Sequence, residues 1–148
     1  MKLFVALITL AYTVLLLYWM FIGFGRSQYQ AGEYHYNLVP LTTIRMYVQY
    51  ADHFNVRNWL VNVVGNVAVF VPFGVWLPFL FRIRFFPLLF LFVVGLFALE
   101  SLQLLLRRGT FDVDDVLLNT IGIIAGYLLY TAGRKLGLFG HRRHGKHV

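Results

Sequence analysis

The chain has 148 residues, enough for one domain. It is 59% hydrophobic and only 13% charged, and its apolar residues lie in long blocks, which excludes a soluble globule and points to a polytopic membrane protein. The absence of cysteine excludes disulfides, thiolate metal sites and cysteine nucleophiles, and the net charge of +7 comes with no basic helix or nucleic-acid motif, so anionic lipid is the expected counterpart and nucleic acid is not.

The first apolar run extends from about Leu3 to Phe24, preceded by Lys2. It is longer than a signal-peptide core and lacks a small-residue cleavage site, so it reads as a retained spanning helix. A polar, tyrosine-rich stretch follows, from Gly25 to Asn58. Within it, TTIRMYVQYADHF places Ile44, Tyr47, Val48, Ala51 and Phe54 on one helical stripe. That predicts a short amphipathic helix at the interface, capped by Thr42 or Thr43. Tyr29, Tyr34 and Tyr36 suit the headgroup belt.

The second run, about Trp59 to Phe81, carries Asn62, Asn66, Pro72 and Pro78. Pro72 removes a backbone donor in mid-run and predicts a kink. The third run covers about Phe85 to Leu106 and the fourth about Val116 to Thr131, joined by short linkers, so spans two to four are expected to be neighbours. The predicted fold is all-α: one domain, a polytopic bundle of four transmembrane helices with a short interfacial helix in the first extracytoplasmic loop. Residues 134–148 form a basic tail. Its His141, His144 and His147 are read as part of a headgroup-touching segment rather than a metal site.

Orientation follows from Lys and Arg alone. Lys2, Arg82, Arg84, Arg134, Lys135, Arg142, Arg143 and Lys146 share one side; Arg26, Arg45, Arg57, Arg107 and Arg108 share the other. Both termini are therefore expected in the cytoplasm of a cell-membrane protein.

The outer turn RRGTFDVDD then holds three of the chain's six acidic residues, Asp112, Asp114 and Asp115. Carboxylates at a helix N-terminus accept orphan N–H bonds and face the positive end of the dipole, so capping accounts for one or two of them. Glu100, Gln103 and Arg107 are spaced i, i+3, i+7 and share a face of span three. Asn58, Asn62 and Asn66 are spaced i, i+4, i+8 in span two. In span four Asp115 and Asn119 are four apart, and Gly122 and Gly126 continue the stripe as a GxxxG packing pattern. Glu100 lies roughly 10 Å below Arg107 at the helical rise. An ionised group at the bilayer centre costs roughly 2.5–3.5 kcal/mol, so Glu100 is expected to face the bundle interior, either protonated or paired with Arg107 or Arg108 and bonded to asparagine amides. These groups predict a polar pocket open to the outer leaflet, with no metal or cofactor; DVDD lacks the loop geometry of an EF-hand.

Three blocks, NLVPLTTI (37–44), NVVGNVAVFVPFGVWLP (62–78) and LESLQLLLRRGTFDVDDVLLNTIGIIAGYLL (99–129), resemble the VanZ-like family of small membrane proteins. Glu100, Gln103, Arg108, Asp112, Asp115, Asn119, Gly122 and Gly126 fall on the family pattern. Arg107 stands where many members have glycine. The first span and the tail carry no legible family signal. The resemblance implies a link to resistance against teicoplanin, a lipid-bearing glycopeptide, without implying a mechanism. The preferred reading is a non-catalytic envelope protein whose pocket meets membrane lipid, a lipid-linked cell-wall precursor or the lipoglycopeptide itself. A membrane enzyme acting on a lipid-linked precursor is the alternative, with Glu100 or an aspartate as base and Arg108 as an electrophilic clamp. A small transporter is weaker, because no inverted repeat is present.

Overall fold

A computed structural model describes residues 1–23, 34–50 and 55–139, the side chains at 57 and 58 excepted. Among the described residues, four helices are long and apolar enough to cross a membrane: Lys2–Phe21, Leu60–Phe81, Phe85–Leu105 and Val113–Lys135. Their outward faces carry Leu3, Phe86, Phe90 and Leu128, all exposed, as hydrocarbon solvation requires.

The first span is α1 (Lys2–Phe21). Thr9 and Thr13 return their hydroxyls to the carbonyls of Val5 and Thr9, four residues back, at 2.7 Å each, so they meet apolar surroundings without unmet donors. The second span is composite. It runs through α3 (Val56–Trp59), a π-helical stretch Leu60–Gly65, α4 (Asn66–Ala68) and α5 (Val71–Phe81). The predicted kink is an interruption at Val69 and Phe70, with Pro72 opening the next helical segment. Proline fits a first turn, where its missing N–H is no loss. The Tyr12 hydroxyl donates to the freed Val69 carbonyl at 3.0 Å. The third span is α6 (Phe85–Leu105) and the fourth is α7 (Val113–Lys135). Helix α7 starts three residues before its apolar run because the aspartates belong to its first turn.

Between the first two spans lies α2 (Thr42–Gln49). The expectation of a Thr42 or Thr43 cap is corrected here. The N-cap residue is Leu41, in the left-handed region at φ 68, and α2 has no side-chain cap from its own segment. Thr43 turns its hydroxyl to Asp112 instead. A two-residue parallel pairing, β1 (Tyr36–Asn37) with β2 (Phe111–Asp112), ties this segment to the start of α7. Tyr29, Ala51, Phe54 and the three tail histidines lie outside the described residues.

Helix α7 is the hub, packing against α4, α5 and α6, while α1 packs on α5. Leu16, Phe70, Phe73, Leu88, Leu96, Val116 and Ile123 make the buried core. Glycines set the closeness of α7 to the second span. A Cβ on Gly122 would strike the Val67 carbonyl, one on Gly126 the Val71 carbonyl, and one on Gly74 the Ile123 carbonyl. The GxxxG seam thus has Gly74 as its partner across the interface.

Candidate functional site

The aspartates at the head of α7 divide their work. Asp112 is the N-cap and accepts the Asp114 N–H at 2.8 Å. It also accepts the Asn37 amide at 3.2 Å and the Thr43 hydroxyl at 2.6 Å. Asp114 is fully buried. Its Oδ1 accepts the Leu41 N–H at 2.6 Å, and its Oδ2 accepts the N–H groups of Thr43 at 2.7 Å and Ile44 at 3.1 Å. This carboxylate therefore caps α2 across the fold, where the orphan donors and the dipole of that helix favour a negative charge. Asp115 points the other way and accepts the Asn66 amide at 2.6 Å.

Beyond Asp115 lies a recess of about 450 Å³ between α1, the second span, α6 and α7. Its polar lining consists of Asn62, Asn66, Glu100, Gln103, Asp115 and Asn119, with the turn residues Gly109 and Thr110. Leu16, Trp19, Met20, Val69 and Phe70 supply apolar wall. Glu100, Gln103 and Asn119 are 5%, 2% and 3% exposed. Gln103 donates to the Met20 carbonyl at 2.7 Å, locking α6 to the last turn of α1. Asn119 Oδ1 is buried and has no hydrogen-bond partner among the described residues. Asn62 sits on the π-helical stretch, exposed at the edge of the cavity.

Six of the eight residues singled out from sequence thus meet in one cavity. The other two do not line it. Asp112 is engaged with Asn37, Thr43 and its own helix, as described. Arg108 belongs to the turn that closes α6: its N–H bonds the Gln103 carbonyl at 2.9 Å, and the Arg107 N–H bonds Leu104 at 3.0 Å. In this cap Arg107 has φ 53. The left-handed conformation is one that glycine adopts without steric cost, which explains glycine at this position in the resembling pattern. Here arginine takes it, and its guanidinium stacks over the Tyr34 ring at 4.8 Å.

Sequence reasoning read Asp114 only as one of three outer-turn aspartates, some of them caps of their own helix, and assigned no role to Trp19. Tyr47 was read only as part of the α2 stripe. Its hydroxyl is held above the ordinary tyrosine range, first by burial and then by the charges of Asp115 and Asp112. The excess of aspartates over what one cap needs was the available signal for Asp114.

A second cavity of about 640 Å³ lies at the other ends of the spans. Lys2, Arg82, Arg84 and Arg134 line it with no acidic residue among the described residues, and Lys2 donates to the Leu80 carbonyl at 3.3 Å. Among the described residues, cations line this cavity, while acids and amides line the recess at the other end.

Four spans around a buried polar recess define a small multi-pass membrane protein. The chain matches the VanZ/LLP1 family over residues 7–136 and belongs to it. That match takes in most of the first span as well as the three blocks read from sequence. The chain is also 34% identical over 73 residues to Protein VanZ of Enterococcus faecium, a stretch covering 49% of this chain and 45% of that relative. The chain thus spans about half the length of that relative. No solved structure matches.

Proposed function

We propose that this chain is a non-catalytic envelope protein whose recess accommodates a lipid or lipid-linked headgroup, and that it lowers susceptibility to teicoplanin-type lipoglycopeptides by altering their access to a lipid-linked target. The observation that carries this reading is the meeting of Asn66, Glu100, Gln103, Asp115 and Asn119, from three spans, in one cavity. Ionisable and amide groups at such depth are costly to insert, and function is their usual reason. The link to resistance draws support from membership of the VanZ/LLP1 family and from likeness to Protein VanZ.

In a susceptible host, expression is expected to raise the inhibitory concentration of teicoplanin and to leave that of a tail-free glycopeptide unchanged. Glu100→Gln and Asp115→Asn, verified as expressed and inserted, are expected to return the host to its starting susceptibility. Full protection by both variants would remove the recess from the mechanism.

In this reading both termini are cytoplasmic, the recess opens toward the outer leaflet and α2 lies at that interface. Since the chain has no native cysteine, single cysteines report cleanly. Thr110→Cys is expected to react with an impermeant maleimide in intact cells, and Ile83→Cys only after permeabilisation. The opposite pattern inverts the topology and sinks the outer-leaflet assignment.

A further inference from the structure

The second cavity, of about 640 Å³, gathers cations from four separate points of the chain. Lys2 opens α1, Arg82 closes α5, Arg84 precedes α6 and Arg134 lies in the last turn of α7. Among the described residues, no carboxylate and no side-chain hydrogen bond engages the guanidinium groups of Arg82, Arg84 and Arg134. The two remaining acids of the chain, Glu33 and Asp52, fall one residue from Tyr34 and three from Asn55, both at the recess end. Three residues reach only about 11 Å, whereas a 20-residue helix such as α1 is roughly 30 Å long. Arg82 holds φ 55, a conformation that glycine takes without steric cost. The fold bears that cost and keeps a guanidinium at the cavity. Past α7, Gly137 at φ 78 turns the chain back, and Phe139 returns against Gly133, its ring 5.5 Å from Phe79 and 5.3 Å from Tyr130. Those rings give the cationic cavity an aromatic wall.

Four like charges around one space repel one another, and a bound anion relieves that repulsion as well as attracting each of them. A zwitterionic group does so poorly. Guanidinium forks take phosphate oxygens two at a time, which suits three arginines better than a lone carboxylate would. Helix α6 starts after Arg84 without a side-chain cap, so the positive end of its dipole adds to the same field. A phosphodiester brings one charge and leaves most of the cations unanswered; a group with two charges answers more of them. Phe79, Ile83 and Phe139 on the wall suit an attached acyl chain better than a free polar solute. We infer that this cavity binds a lipid headgroup bearing at least two negative phosphate charges, with Arg82, Arg84 and Arg134 on the phosphate oxygens and the attached chains against the apolar wall. The site is separate from the recess, and either can stand without the other.

The test is native mass spectrometry of the full-length protein, stripped of lipid in detergent and titrated at about pH 8 with phosphatidic acid, phosphatidylglycerol or phosphatidylcholine of identical acyl chains. At that pH a phosphomonoester carries close to two charges. Phosphatidic acid is expected to be retained at least about tenfold more tightly than phosphatidylglycerol, the difference one charge-assisted hydrogen bond supplies, and phosphatidylcholine least of all. Equal retention of the two acidic lipids overturns the two-charge assignment, and equal retention of all three overturns the anion site. Glycerol phosphate, the same headgroup without chains, is expected not to be retained; retention equal to that of the lipid overturns the lipid as source. Arg82→Gly removes the guanidinium and the cost of its positive φ together, so it is expected to lower the preference while the thermal midpoint holds or rises. Arg134→Gln is expected to lower it too, and Lys135→Gln, one residue on and outside the cavity lining, to leave it unchanged. Helical content and thermal midpoint are measured on every variant. If Lys135→Gln weakens retention as much as Arg134→Gln, the preference belongs to the charge of the whole end and the cavity assignment falls. An unchanged preference in both Arg82→Gly and Arg134→Gln overturns it as well.

Discussion

Asp114→Ala is expected to detach α2 from the bundle and to lower the thermal stability of the purified protein by about 3 kcal/mol, with the amides of Leu41, Thr43 and Ile44 losing their exchange protection. Three backbone donors meet this one buried carboxylate at 2.6, 2.7 and 3.1 Å. Each unmet buried donor costs about 1–3 kcal/mol, and the total falls short of the sum because the released segment can turn its N–H groups to water. The change acts on a site 71 residues away in sequence from Thr43, so a purely local effect on α7 is a different outcome. Asp114→Asn is no conservative escape. Both oxygens accept, and an amide turns an NH₂ toward at least one donor. Asp112→Ala removes a cap of its own helix and is expected to cost about 1 kcal/mol, the usual value of an N-cap. Thermal unfolding by circular dichroism, with amide exchange by mass spectrometry, checks the ordering. Unchanged protection at Leu41, Thr43 and Ile44 in Asp114→Ala would show that the clamp is not what holds the segment.

Gly126→Ala is expected to destabilise by about 2–3 kcal/mol, although alanine is the better helix former. Propensity alone favours alanine by about 0.8–1 kcal/mol. The added methyl meets the Val71 carbonyl and comes within 2.8 Å of the Gly74 Cα, and backbone cannot step aside as a flexible side chain does. Overpacking of this kind costs about 1–3 kcal/mol and outweighs the propensity term. Gly126→Leu is expected to prevent the α5–α7 contact and to abolish accumulation in the membrane. Gly95→Ala is the internal control. A Cβ there meets nothing within 4 Å, so it is expected to be neutral or stabilising. Membrane accumulation of the leucine variant and thermal midpoints of the two alanine variants in one detergent decide it; equal effects of alanine at positions 95 and 126 would refute the seam.

The spans were legible because apolar length is a direct physical demand of the bilayer, and nothing in the tertiary fold alters it. The recess was legible for a related reason. Glu100 with Gln103, and Asp115 with Asn119, follow helical spacing, and a spanning helix has no cheap place for such groups except facing its neighbours. The clamp was not legible, because its donors are backbone N–H groups of Leu41, Thr43 and Ile44, which every residue but proline possesses. Side-chain identity does not mark them. The cap was therefore assigned to the nearest threonines when it comes from Asp114, far along the chain. The π-helical stretch escaped for another reason: i→i+5 bonding leaves no compositional trace in LVNVVG. It changes the angular relation of Asn62 to Asn66 that an α-helical spacing assumes. The glycine partner of the seam was half legible. Gly122 and Gly126 stood out as a pattern, while Gly74 is known as their counterpart only from the packing.

The pairing of residues 36–44 with residues 111–114 also orders events during synthesis. The segment that follows α1 leaves the ribosome early, yet the carboxylates and strand that fix it are made about 70 residues later. At about 5–20 residues per second, that interval lasts several seconds. Throughout it, Leu41, Thr43 and Ile44 rely on water for their amides, and the first three spans are inserted before their connecting loop can take its final form. Completion of the loop therefore reports that the fourth span has arrived, and a chain truncated before Asp112 is one whose first loop never sets.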